Sequence, residues 1–153
     1  KDMGVPVLLD SNGPALALGV GAGPDIIKPN QAELFALTGV TDDPARAAGE
    51  LVRRSVGAVL ASMGEAGCAY ATAESEVYCP APRVKTVNPV GSGDSFVAGF
   101  LCARERGQSF REALALGSAC GAANAGEWRA ACVQPDTVRT LLPKVRFESA
   151  PTV

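Results

Sequence analysis

Histidine is absent from the 153-residue chain, which removes Ser–His–Asp and Cys–His triads and any His-based metal site. The five cysteines, Cys68, Cys79, Cys102, Cys120 and Cys132, are odd in number, widely spaced and form no CxxC pair. They read as small buried thiols of a reduced chain, not as a disulfide framework. No apolar run approaches the roughly 18 residues of a membrane span, and no charged-then-apolar leader opens the chain. A cytoplasmic location without membrane association is expected. An excess of one charge is lacking too: 14 Lys and Arg against 16 Asp and Glu leave a net charge of −2. No broad basic surface is available to release counterions from nucleic acid, so nucleic acid is not an expected partner.

What is present is 47% hydrophobic and 20% charged residues, which with this length suits one globular domain with a sizeable core. Lys1-Asp2-Met3-Gly4 runs almost at once into a strand-like segment, leaving no room for a preceding element, so the chain reads as part of something longer. Short β-branched runs alternate with helical patterns, the mark of an α/β layered fold. Strands are expected at 5–10, 25–28, 58–62, 68–72, 76–79 and 84–87. The close spacing of the middle ones predicts an antiparallel patch on an otherwise mostly parallel sheet. Helix starts are legible from caps. Asn30 with Glu33, and Ser109 with Glu112, are capping boxes, the second opening a helix to about 125. Thr41-Asp42-Asp43-Pro44 opens a helix to about 54, and Pro135 opens a short one that Pro143 stops. Residues 19–23 read as a glycine-rich loop and 150–153 as a frayed end.

Three segments can carry chemistry. In Asn88-Pro89-Val90-Gly91-Ser92-Gly93-Asp94 a strand end and a Pro/Gly turn lead into an apolar helix beginning at about Asp94. Free N–H groups and the helix dipole favour an anion there, and Gly91 and Gly93 allow close approach; an ordinary capped helix start would look the same. Asp94 repels a phosphate, so anion binding alone does not call for it, but its carboxylate could take the proton of an alcohol attacking that phosphate. The second segment places Lys28, Asn30 and Glu33 at a strand end and helix start. Lys28 could meet phosphate, and Asn30 and Glu33 could hold Mg²⁺ directly or through water, or all three could serve only as a cap with a surface lysine. The third, Ser62-Met63-Gly64-Glu65-Ala66-Gly67, is a phosphate-holding turn or a plain hairpin. Rival motifs fail: there is no GxxxxGK[ST] and no GxSxG. Gly91-Ser92-Gly93 meets Phe96 where a dinucleotide fingerprint needs a third small residue, and Gly23 is followed by Pro24.

The order and spacing of all three, together with Leu8-Leu9-Asp10-Ser11-Asn12-Gly13-Pro14, resemble the ribokinase-like (phosphofructokinase B) carbohydrate kinases. Within them the likeness is to the 1-phosphofructokinase and tagatose-6-phosphate kinase branch. The resemblance implies a three-layer αβα sheet of which residues 1–153 form the C-terminal, nucleotide-binding and catalytic part, the sugar-binding half and lid lying outside the chain. It implies ATP-dependent phosphorylation of a sugar phosphate hydroxyl, with Asp94 as base and the amides of Gly91, Ser92 and Gly93 as anion hole. Asn30 and Glu33 match the motif associated with Mg²⁺ and phosphates. Lys28, Ser62, Gly64 and Gly67 match the nucleotide side, and Asn124 is a candidate adenine contact. ATP and Mg²⁺ are the implied cofactors, a monovalent cation is a further candidate, and a homodimer is the implied assembly of the full-length protein. Two departures stand out: Pro89 occupies a position where Thr is usual, and residues 126–132 lack a glycine the family often carries. The alternative is a nucleotide-binding fragment or interaction module without activity of its own; a dinucleotide oxidoreductase is disfavoured by the failed fingerprint.

Overall fold

The computed structural model describes residues 3–54 and 56–149; the frayed end expected at 150–153 lies outside them. The elements run β1 (Leu8–Leu9), α1 (Gly13–Gly21), β2 (Ile26–Ile27), α2 (Gln31–Thr38), α3 (Pro44–Arg53), β3 (Ala58–Ser62), β4 (Cys68–Thr72), β5 (Glu76–Cys79), α4 (Ser92–Glu105), α5 (Phe110–Ala125), α6 (Pro135–Leu141) and β6 (Glu148–Ser149). They form an α/β fold in which the six strands lie in sequence order in one mixed sheet. β1, β2 and β3 are parallel, with Leu9 opposite Ile27 and Ile27 opposite Val59. β3–β4 and β5–β6 are antiparallel. The expected balance is thereby corrected. The antiparallel β3–β4 ladder spans five residue pairs, while each parallel ladder spans two.

The chain divides into two compact units. The first holds the sheet with α1, α2 and α3. Its core is aliphatic and small: Ile27, Leu34, Leu51, Val56 and Val59 pack with Ala45, Ala47, Ala48, Ala61, Ala69 and Ala71. α3 lies on β3 and β4 through this alanine-rich face, where the absence of bulk lets helix and sheet approach closely. The second unit contains α4, α5 and α6. α4 and α5 pack through glycines: a Cβ at Gly99 would meet the Cys120 Sγ at 2.8 Å, and one at Gly117 the Phe96 carbonyl at 2.8 Å. Phe100, wholly buried, fills the space this leaves.

Two elements differ from expectation. Residues 84–87 form no strand; the Val87 and Asn88 N–H groups donate instead to the Ala125 carbonyl, at 2.7 and 3.1 Å, as a cap on the end of α5. Residues 13–21 form α1 although Gly19–Gly23 reads as loop, since Pro14 starts the helix and Leu16 anchors it. No disulfide joins the five cysteines, of which Cys68 and Cys79 are buried and the others half-buried. No helix among the described residues is long and apolar enough to cross a membrane.

Candidate active site

The candidate residues fall into two groups, one in each unit. In the first unit, parallel β1, β2 and β3 end on the same side of the sheet, the position at which α/β sheets bind ligands. Asp10 and Lys28 directly follow β1 and β2. The Lys28 ammonium lies 3.2 Å from the Asp10 carboxylate, and the lysine is only 7% exposed. Burial of a charge this far is tolerable only with such a partner. The residue type of Asp10 alone marks no role; its place directly after β1, beside Lys28 directly after β2, is the signal that pairs them.

Asn30 caps α2. Its Oδ1 accepts from the Glu33 N–H at 2.9 Å, and the Asn30 N–H donates to Glu33 Oε2 at 2.8 Å, so the capping box is complete. Ser62 joins this group through the backbone: its N–H donates to the Pro29 carbonyl at 2.9 Å, and it bridges to Asn30 in parallel register. The donor set bears on Mg²⁺. The cap engages Asn30 Oδ1 and Glu33 Oε2, leaving Oε1 of Glu33 to face a cation. Among the described residues no three His, Cys, Asp or Glu side chains cluster as a metal cage. One carboxylate oxygen beside an amide fits a hydrated Mg²⁺ held through its waters, the manner this ion prefers.

The second unit holds the glycine segments. Gly64 opens a 3₁₀ turn, and Gly67 closes it at a φ of 110°. A Cβ on Gly67 would lie 2.1 Å from the Cys79 carbonyl oxygen and 2.6 Å from the Ala81 nitrogen, so its backbone packs directly on the 79–81 backbone. The other segment is a turn: the Ser92 N–H donates to the Pro89 carbonyl at 3.1 Å, with Gly91 between them at φ 81°, ψ 0°. These are the angles of the third residue of a type II turn, which favours glycine. A Cβ there would also meet the Ala131 nitrogen at 2.7 Å.

α4 begins at Ser92, with Gly91 as N-cap, two residues earlier than expected. The shift matters chemically. Asp94 stands inside the first turn instead of capping it, exposed and with no side-chain hydrogen-bond partner among the described residues. Of the three amides expected to form an anion hole, that of Ser92 donates to the Pro89 carbonyl. The Gly91, Gly93 and Asp94 N–H groups have no backbone acceptor among the described residues and remain to meet an anion.

Asn124, expected against the adenine, is engaged by the protein itself. It is wholly buried, and its Nδ2 donates to the Val90 carbonyl at 2.9 Å and to Ser92 Oγ at 3.0 Å. Among the described residues its Oδ1 is buried without a partner. Asn88, whose part was not legible, braces the same turn: Nδ2 donates to the Trp128 carbonyl at 3.0 Å, and Oδ1 accepts from the Val90 N–H at 3.0 Å.

Comparison with known proteins bears on this arrangement. The family model described as pfkB family carbohydrate kinase matches residues 1–135. The 1-phosphofructokinase of Rhodobacter capsulatus is 34% identical over 154 residues, 98% of this chain and 49% of that protein. A tagatose-6-phosphate kinase of Staphylococcus epidermidis is 34% identical over 89% of this chain and 46% of its own. Among solved structures, Escherichia coli phosphofructokinase-2 in complex with potassium superposes with a TM-score of 0.87 at 28% identity, covering 94% of this chain and 48% of that one. The chain thus spans about half the length of the curated relatives it matches.

Proposed function

The chain belongs to the pfkB family of carbohydrate kinases, and we propose that it is the C-terminal, catalytic half of an ATP-dependent sugar-phosphate kinase with the three-layer αβα sheet of that family. The observation that carries this reading is the start of α4, where exposed Asp94 stands beside the unengaged amides of Gly91 and Gly93. Asp94 takes the proton of the acceptor hydroxyl. The acceptor oxygen bonds to the γ-phosphorus as the bond from that phosphorus to the β–γ bridging oxygen breaks, and ADP leaves. The amides and the positive end of the α4 dipole, worth about half an elementary charge, receive the charge on the transferring group. Asn30 and Glu33 hold Mg²⁺ through its waters, and the ion, when bound, neutralises phosphate charge. Lys28, oriented by Asp10, and Ser62 with Gly64 and Gly67 form the nucleotide side. The acceptor is a sugar phosphate of the fructose 1-phosphate, fructose 6-phosphate or tagatose 6-phosphate type, the assembly a homodimer and the location cytoplasmic.

For the 153 residues taken alone a second reading applies, a nucleotide-binding module without turnover, favoured by their span of about half of each relative. One experiment separates these readings. In the full-length protein Asp94→Ala is expected to lower kcat by roughly 10²–10⁴-fold, with the calorimetric Kd for Mg²⁺-ATP nearly unchanged. Unchanged kcat would overturn the base assignment. Absence of turnover by the full-length wild type on all three sugar phosphates would overturn the kinase reading and leave the module.

A further inference from the structure

We propose that Asn124 is a positioning residue for phosphoryl transfer, its buried amide setting the orientation of the Gly91 and Gly93 N–H groups. The inference rests on the kinase reading above and assigns control of turnover to a side chain that reaches no ligand. Asn124 lies at the end of α5, and its two acceptors are 34 and 32 residues away in sequence, Val90 O and Ser92 Oγ. Those acceptors flank Gly91 on either side. One planar amide therefore grips both shoulders of the residue whose left-handed backbone aims the cradle.

Packing does not account for an amide at this place. Leu has the same branched shape and number of side-chain heavy atoms and would bury no polar atom, whereas Asn124 keeps Oδ1 buried without a partner among the described residues, a situation that ordinarily costs stability. A polar group retained under that penalty points to the two bonds its Nδ2 makes. Asn88 and the backbone of Ala131 brace the turn from other sides, but among the described residues only Asn124 bonds to both residues next to Gly91. Releasing that grip lets the two amides tilt by fractions of an ångström. Ground-state binding of ATP, spread over many contacts, changes little; the interaction with charge developing on the transferring group weakens.

The test uses the full-length protein with Asn124→Leu and Ser92→Ala. Asn124→Leu is expected to lower kcat about 10²-fold, with KM for ATP and the calorimetric Kd for Mg²⁺-ATP within roughly threefold of wild type. Ser92→Ala, which removes one of the two acceptors and disturbs no buried packing, is expected to lower kcat by a smaller factor, and the double variant to be no slower than Asn124→Leu alone. Unchanged kcat per folded molecule in both single variants, even with a lowered Tm, would overturn the proposal by reducing Asn124 to a structural part. Recovery of kcat on raising potassium chloride would also overturn it, by showing that the residue acts through a cation. Should Asn124→Leu not fold, Ser92→Ala decides alone: a kcat loss at constant KM sustains the proposal, and wild-type kcat ends it. A wild type without turnover overturns the kinase reading itself, and the inference falls with it.

Discussion

Ala131 is the one described non-glycine residue with a positive φ, at 53°, and its nitrogen is the atom that a Cβ on Gly91 would strike. An alanine in that conformation costs about 1–2 kcal/mol. It falls within residues 126–132, the stretch where sequence alone already marks a missing glycine, so the strain is where that absence would put it. Ala131→Gly is expected to raise Tm by a few degrees, about what 1 kcal/mol does in a domain of this size, as thermal unfolding would read. Gly91→Ala should do the reverse and more, since it adds both a forbidden φ and a 2.7 Å contact with backbone that has no flexible end to move. If Ala131→Gly leaves Tm unchanged or lowers it, the 131 backbone is not strained. Lys28 presents the opposite case, in which a costly placement is answered directly: its buried ammonium meets Asp10 at 3.2 Å.

At the scale of the element, legibility follows local chemistry. Helices announced by caps appear where the caps put them, because a capping box satisfies its orphan N–H groups with side chains three residues apart and needs nothing distant. α2 and α5 begin directly after Asn30 and Ser109. Strands 58–62, 68–72 and 76–79 match β3, β4 and β5 residue for residue, since turn residues bound them on both sides. Segments decided by tertiary contacts were not legible. Residues 84–87 are β-branched enough for a strand but bond to the end of α5. α1 carries three glycines of low helix propensity and no charge to mark a face, and it forms over Leu16. The site divides in the same way. Asp94, the glycine turn and the Asn30–Glu33 pair were readable as local motifs, whereas the Lys28–Asp10 pair and the bracing by Asn88 and Asn124 join residues far apart in sequence. The α5 box also makes a pH prediction. The Ser109 hydroxyl, and then its N–H, hold the Glu112 carboxyl below its ordinary 4.5. A lowered carboxyl stabilises the fold fully above that ordinary value and less as pH falls through the folded one. Urea midpoints of wild type and Glu112→Gln should therefore converge between about pH 6 and about pH 3; a gap that stays constant would show that the charge of Glu112 contributes nothing.

The whole molecule sets the terms on which these parts work. β1 ends the strand order and contributes only two residues to its ladder. Around it Met3, Val5, Val7 and Leu18 are exposed, Met3 at 89% and Leu18 at 79%. An open strand edge flanked by bare apolar side chains is a template for pairing with another chain. The relatives are about twice as long as this chain, so in the kinase reading an upstream half is expected to cover this edge. The 153-residue chain alone is accordingly expected to associate with rising concentration in sedimentation velocity and to bind a hydrophobic dye. A polypeptide extended upstream should remain at one discrete size, bind the dye weakly and unfold at a higher temperature. If the short chain is monomeric, silent to the dye and as stable as the extended one, β1 is a finished edge, and the upstream half must meet this region through a different surface.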